Sequence, residues 1–211
     1  MNLLGLLPYL LLSFLASSFM LLLKPRIISF LLGTLLVATA AVIIEVELLG
    51  FVSTALMLLL CAPVVEELLK FAATGYKKDL GSAIGVGSGF AIVENAFYFV
   101  TLTSLYSVTI ALPFILARAV GDPLLHSAST SISVRAWHGK KLAIPAAIGL
   151  HFLYNLFAVA MVAYPSLFRF YPLVVLGTAF ILGRQQILIL VKTKLRSRKA
   201  EIAAIVSGAN K

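Results

Sequence analysis

Two adjacent carboxylates and a lysine interrupt an apolar run that is long enough to cross a membrane. Glu66 and Glu67 lie within the run 51–74, and Lys70 follows them at four and three positions, one helical turn away. An ionised side chain in the middle of a membrane helix costs about 2.5 to 3.5 kcal/mol on insertion scales, so it usually faces protein or a water pocket. Adjacent helical positions point about 100° apart, which lets one Glu face a cavity while the other contacts a neighbouring helix.

Two histidines on other apolar runs are predicted at the same depth. Counting about 1.5 Å per residue from the predicted cytoplasmic end of each run places Glu66, Glu67, His126 and His151 roughly 13 Å inside. A second polar layer is predicted about one turn further out, and it comprises Glu94, Asn95, Arg118, Asp122 and Asn155. Arg118–Asp122, Asp122–His126 and His151–Asn155 are all spaced i, i+4, so each pair shares a helix face.

Paired glutamates with two histidines suit the hydrolysis of a peptide bond by either of two routes. A buried Glu beside a water can act as general base, while a neutral His or the Asn155 amide donates to the oxyanion. Alternatively, His126, His151 and Glu67 form a ligand set for a divalent metal such as zinc, with the second Glu as base. The spacing is not the H-E-x-x-H of soluble zinc peptidases, so the sequence leaves both routes open.

The elements that must position these residues are membrane helices. The chain of 211 residues is 61% hydrophobic and has a mean hydropathy of +1.06, well above soluble domains. About 20 apolar residues span the hydrocarbon core, and seven such segments are predicted. Their approximate bounds are 3–23, 27–49, 51–74, 80–102, 108–134, 142–163 and 171–191. We therefore expect an all-α, polytopic membrane bundle, a single domain over 1–191, with the site on helices within 51–163.

The distribution of positive charge predicts the orientation. Lys and Arg follow the first, third, fifth and seventh segments, whereas the other side carries only Arg169. The positive-inside rule then places the N-terminus outside and residues 192–211 in the cytoplasm as a basic tail near anionic lipid. The net charge of +9 does not indicate nucleic acid, because no basic patch is interleaved with aromatic residues. The single cysteine excludes an intrachain disulfide.

Four motifs occur in order on successive segments. They are Pro63-x-x-Glu66-Glu67-x-x-Lys70, Gly89-Phe90-Ala91-x-x-Glu94-Asn95, Arg118 with His126, and His151-x-x-x-Asn155. With these motifs, which cover nearly half of the chain, the sequence resembles the PrsW family of intramembrane proteases. That family belongs to a wider group with the CAAX prenyl proteases and the bacteriocin-immunity-type membrane peptidases. One departure is Asp122-Pro123 ahead of His126, where a Gly-rich approach is expected.

The resemblance implies an endopeptidase that cuts a membrane-anchored protein, such as an anti-sigma-factor-like regulator. In that reading Glu66 and Glu67 activate water, while His126 and His151, helped by Asn155, assist or bind metal. Lys70, Glu94, Asn95, Arg118 and Asp122 support them. A compact architecture with basic loops implies, by analogy, a multi-pass protein of the cell membrane.

Three other functions fit the same residues. A CAAX-type peptidase would process a prenylated C-terminus. A proton-coupled transporter would use the buried Glu and His as a relay, although the sequence has no paired inverted halves. A non-enzymatic scaffold would keep the polar layer for helix association. The sequence does not identify the substrate or the oligomeric state.

Overall fold

The computed structural model describes residues 26–206, where all regular secondary structure is helical. The long helices are α1 (Ile27–Leu48), α2 (Thr54–Ala73), α3 (Leu80–Leu105), α4 (Val108–Ser133), α5 (Ala143–Ala163) and α6 (Tyr171–Val206). Short 3-10 turns follow α2, α4 and α5 at Thr74–Tyr76, Val134–His138 and Pro165–Phe170. The helices coincide with the second to seventh predicted segments, whereas segment 3–23 lies outside the described residues. α6 continues to Val206, so most of the predicted tail is helical.

Among the described residues, three helices are long and apolar enough to cross a membrane, namely Ile27–Leu48, Leu80–Leu105 and Ala143–Met161. The first is the most apolar, with a mean hydropathy of 2.6. α2 and α4, which are not among these three, carry the charged and hydroxyl side chains of the polar cluster. The all-helical, membrane-associated class is therefore confirmed, while the seven-span arrangement stays a prediction.

The polarity of the molecule is inverted relative to a soluble protein. Leu35 and Phe180 are 70% and 72% exposed, whereas Glu67, Lys70 and His126 are fully buried. Lipid favours this arrangement, because exposed leucine and phenylalanine side chains are stable against acyl chains whereas charged side chains are directed into the protein interior. The surface and the span lengths thus agree on a membrane environment.

Small residues bring the backbones of α1, α3 and α4 close together. A Cβ placed on Gly85 would lie 2.7 Å from the Arg26 carbonyl oxygen. One placed on Gly87 would lie 2.7 Å from the Ser127 backbone nitrogen, next to His126. Such distances are too short for any side chain, so only glycine allows the backbones to pack this closely. Gly87 in particular sets how near His126 comes to α3.

Two stretches of π-helix widen α1 and α2. They are Leu32–Val37 and Met57–Cys61, and the second ends two residues before Pro63. In that stretch the N–H of Ala62 donates to the carbonyl of Met57, five residues back. The next bond in this register would run from Pro63 to Leu58, but proline has no N–H. The Leu58 carbonyl therefore needs another donor.

The start of α3 is fixed by an ion pair outside the apolar segments. Asp79 caps α3 by accepting from the Ser82 N–H at 2.8 Å, and its carboxylate pairs with Arg26 at 2.6 Å. Partial burial raises the pKa of Asp79, but the bonds from Arg26 and Ser82 outweigh it and leave the pKa below its usual value. The pair joins the beginning of α1 to the beginning of α3.

Candidate functional site

Lys70 lies at the centre of the polar cluster on α2. Its ammonium Nζ is 2.6 Å from Glu67 Oε1 and 3.6 Å from Glu66 Oε2, so both expected one-turn contacts are present. Nζ also donates to Nδ1 of His126 at 2.7 Å and lies 4.6 Å from the centre of the Phe90 ring. One buried cation therefore neutralises part of two carboxylates and fixes a histidine on α4.

Glu67 is held through a single oxygen. Besides Lys70, Oε1 accepts from Ser129 Oγ at 2.9 Å and from His151 Nδ1 at 3.0 Å. Since Nδ1 of His151 donates, its Nε2 must be the ring acceptor. Histidines that bind a metal or act in catalysis commonly donate one ring N–H to a carboxylate in this way, which orients the ring and leaves the other nitrogen available.

His126 is oriented by partners on both ring nitrogens. Nδ1 accepts from Lys70, and Nε2 donates to Glu94 Oε2 at 2.5 Å. The ring also meets His151 edge-on, with centroids 4.9 Å apart. The structure thus brings together Glu66, Glu67, His126 and His151, the four residues predicted for one layer, and adds Glu94 to them.

The second predicted layer is an ion-pair network joined to the first by Glu94. Arg118 Nη2 lies 2.8 Å from Glu94 Oε1 and 2.5 Å from Asp122 Oδ2. Asp122 accepts from the Tyr154 hydroxyl at 2.6 Å, and Asn95 Nδ2 donates to the Arg118 carbonyl at 3.4 Å. A continuous chain of contacts therefore runs from Asp122 through Arg118 and Glu94 to His126.

Asn155 is not part of the Glu–His cluster. Its Nδ2 donates to the Leu58 carbonyl at 2.9 Å. This is the carbonyl to which Pro63 cannot donate, so Asn155 on α5 supplies the missing hydrogen bond to the backbone of α2. One of the two N–H groups of the amide that was expected to stabilise an oxyanion therefore donates to a main-chain carbonyl.

Two buried acceptors face each other without a donor in the described part of the chain. They are Glu66 Oε2 and His151 Nε2, which lie 3.8 Å apart. His126 Nδ1 is 4.0 Å from the same Glu66 oxygen. One atom from each of these three residues lies within 4.8 Å of the others, a spacing that could hold a metal ion. The ligand set predicted with Glu67 is therefore found with Glu66, since Glu67 Oε1 binds behind His151. Glu67 Oε2 also lacks a hydrogen-bond partner among the described residues.

Charge in this region is unbalanced. Five carboxyl groups approach the cluster, and only Lys70 and Arg118 oppose them among the described residues near it. The carboxyl groups are those of Glu45, Glu66, Glu67, Glu94 and Asp122. Buried negative charge in excess is costly unless protons or a cation compensate it.

Sequence reasoning missed three contributors. Ser129 lies three residues after His126, so the helical spacing that was used for other pairs could have found it. Tyr154 lies three residues after His151 and could have been found in the same way. Glu45 lies near the end of the second predicted segment, a position typical of a membrane-interface residue, yet its Oε1 is buried and has no hydrogen-bond partner in residues 26–206. No local pattern signals that Glu45 comes close to Glu66, because this depends on how α1 crosses α2.

Comparison with models of known protein families found no match, and neither the curated proteins nor the solved structures gave one.

Proposed function

We propose that this protein is a membrane-embedded endopeptidase that hydrolyses a peptide bond of a membrane-anchored protein, as its resemblance to the PrsW family implies. The observation that carries the proposal is the pair of buried acceptors, Glu66 Oε2 and His151 Nε2, 3.8 Å apart and without a donor in the described residues. Lys70 offers Glu66 Oε2 a positive charge 3.6 Å away, but neither acceptor receives a hydrogen bond, so a group between them that offers hydrogen or positive charge would satisfy both. A water molecule and a divalent cation both meet that need.

With water alone, Glu66 is the general base. A water between the two acceptors donates one hydrogen to each, and Glu66 removes a proton as the water attacks the peptide carbonyl. The C–N bond then breaks as Glu66 gives that proton to the leaving amine nitrogen. The second proton of the water passes from the new carboxylic acid to His151 Nε2, whose ring Glu67 holds by Nδ1. The absence of a helix-borne zinc motif favours this route.

With a metal ion, Glu66, His126 and His151 are the three protein ligands, and a fourth position is left for water. The residues fit this set for three reasons. Two of the ligand atoms, Glu66 Oε2 and His151 Nε2, accept no hydrogen bond from the described residues. The excess of carboxylates favours a cation, and Glu67 and Glu94 bind the opposite ring nitrogens of His151 and His126. Lys70, which donates to His126 Nδ1 at 2.7 Å, would have to release that nitrogen to a metal ion, and Glu67 would remain a partner for its ammonium group. When bound, such an ion supplies a Lewis acid and an activated water.

The substrate has an apolar cavity to occupy. A cavity of about 440 Å³ lies between α2, α3, α4 and α5, within the size range of ligand pockets. Leu58, Leu102, Phe114 and Met161 are among its apolar walls, and Arg118 is one of its polar residues. We assign this cavity to the apolar side chains of the substrate that flank the cleaved bond. Arg118 on the cavity wall contacts Glu94, which in turn binds His126, so the cavity adjoins the Glu–His cluster.

The proposal includes seven spans, an external N-terminus and a cytoplasmic C-terminus in the cell membrane, with the basic end near anionic lipid. Cysteine scanning in a Cys61→Ser background tests the orientation. Ser107→Cys, between α3 and α4, should react with a membrane-impermeant maleimide on intact cells, and Lys140→Cys, between α4 and α5, should react only after lysis. The opposite pattern would invert the topology.

The function is tested by profiling new N-termini in cells that express wild type, Glu66→Gln or Glu47→Gln at equal membrane levels. Glu47 is exposed on α1 and serves as the matched control for the chemical change. Peptide termini present with wild type and Glu47→Gln but missing with Glu66→Gln would establish proteolysis and reveal the substrate. Identical profiles with a folded, abundant Glu66→Gln would support the transporter or the scaffold instead.

Metal content distinguishes the two routes. Wild type purified without chelator should carry about one equivalent of zinc or a similar ion if the ligand set is used, and His151→Gln should lose it. Activity that survives prolonged dialysis against a chelator would leave Glu66 and water as the mechanism.

A further inference from the structure

The connection between α4 and α5 is a rigid turn. Gly139 adopts a positive φ of 79°, and the Lys140 N–H donates back to the Arg135 carbonyl at 3.3 Å. Trp137 stacks on Phe71 with ring centroids 4.5 Å apart. His138 Nε2 donates to the Lys78 carbonyl at 2.9 Å. The turn is therefore attached to the end of α2 and to the loop that follows it.

This turn forms one side of a groove that collects three basic residues. Arg135, Lys140 and Lys141 all line a groove of about 470 Å³ at the beginning of α5. None of the three forms an ion pair with any residue of the described range 26–206. Arg26, by contrast, is neutralised by Asp79 at 2.6 Å. The first turn of α5 has no acidic side chain and no side-chain cap.

The remaining walls of the groove are apolar. Ile132, Leu142, Ala143 and Ala146 complete the lining. Leu142 is 79% exposed although it directly follows two lysines. An exposed leucine beside unpaired cations is poorly suited to water, but it is well suited to the boundary between lipid headgroups and acyl chains.

We propose that this groove binds one anionic phospholipid. The phosphate contacts Arg135, Lys140 and Lys141, and an acyl chain lies against Leu142 and Ala146. Basic pockets at the ends of membrane helices bind anionic headgroups, and each cation near the surface contributes about fivefold in affinity. The apolar wall selects a lipid over a free phosphate, which would leave that wall exposed. The proposal does not depend on the peptidase activity.

The test is native mass spectrometry of the purified full chain titrated with phosphatidylglycerol, phosphatidylcholine or glycerol phosphate. The test variant carries Arg135→Gln, Lys140→Gln and Lys141→Gln. The matched control carries Lys77→Gln, Arg198→Gln and Lys199→Gln, which remove the same charge from exposed positions elsewhere. Thermal melting checks that both variants are folded.

We expect wild type to retain one phosphatidylglycerol at least tenfold more tightly than phosphatidylcholine, and to show no retention of glycerol phosphate. The test variant should lose this preference, and the control should keep it within about twofold. Equal losses in both variants would mean diffuse attraction to the whole basic surface and would overturn the proposal. Retention of glycerol phosphate equal to that of the lipid would also overturn it, in favour of a phosphate site.

Discussion

The bond between Asn155 and the Leu58 carbonyl should become dispensable when Pro63 is replaced. In wild type the carbonyl is partly buried, and the residue that would serve it in the π-helical register has no N–H. Asn155→Leu leaves this acceptor unsatisfied. In Pro63→Ala a main-chain N–H becomes available, so the carbonyl no longer depends on α5.

The expected loss of stability follows from the cost of an unsatisfied acceptor and from the energy of a hydrogen bond between membrane helices. A buried acceptor without a donor costs about 1–3 kcal/mol, whereas hydrogen bonds between membrane helices average about 0.6 kcal/mol and reach about 1.7. We expect Asn155→Leu to lower the free energy of unfolding by roughly 1–2 kcal/mol in the wild-type background. In the Pro63→Ala background the loss should shrink by about 0.5–1.5 kcal/mol.

The assay is a double-mutant cycle measured by reversible unfolding in bicelles. Thr34→Val provides the control, because Thr34 Oγ1 bonds the Gly89 carbonyl at 3.2 Å, away from Pro63. Its effect should add to that of Pro63→Ala within about 0.5 kcal/mol. If the changes in unfolding free energy caused by Asn155→Leu and Pro63→Ala are strictly additive, Asn155 does not compensate for the missing N–H of Pro63.

Three further predictions concern packing and charge. Lys70→Met leaves its carboxylate partners buried without a cation, and we expect a loss of about 3–5 kcal/mol in an unfolding measurement. Gly87→Ala forces a Cβ into the α4 backbone and should lower the melting temperature, whereas Gly149→Ala, with open space around it, should keep or raise it. Asp79→Asn keeps the helix cap but removes the partner of Arg26. Because the folded pKa of Asp79 is lowered, its charge stabilises the protein above the ordinary aspartate range, and this is lost as pH falls through the folded value. The variant should therefore melt earlier than wild type at pH 7 and together with it in strong acid, and a constant difference at all pH values would contradict this.

The positions of the helices could be predicted because the number of consecutive apolar residues can be counted in each segment without knowing its neighbours in the fold. Ile27, Leu80 and Tyr171 begin helices in the structure and in the sequence analysis alike. The grouping of Glu66 with His126 and His151 was also accessible, since depth in a membrane follows from counting residues. Within residues 26–206, α6 continues beyond the predicted span 171–191, because its basic continuation is not apolar and yet forms a helix up to Val206.

Which atom faces which partner could not be predicted from depth. Asn155 lies one turn from His151, but rotation of α5 turns its amide towards the Leu58 carbonyl. The roles of Glu66 and Glu67 were likewise inseparable in sequence, because they differ only by the 100° between adjacent positions. Glu45 reaches the cluster through the crossing of α1 and α2, a tertiary property with no local signature.

The most direct test of the account is a time course of one cleavage product with wild type, Glu66→Gln, Glu67→Gln and Glu47→Gln at equal membrane levels. We expect no product with Glu66→Gln, a reduced rate with Glu67→Gln, whose carboxylate positions His151, and the wild-type rate with Glu47→Gln. Cleavage at the wild-type rate by a folded Glu66→Gln would contradict the claim that the unpartnered Glu66 oxygen is the reactive group.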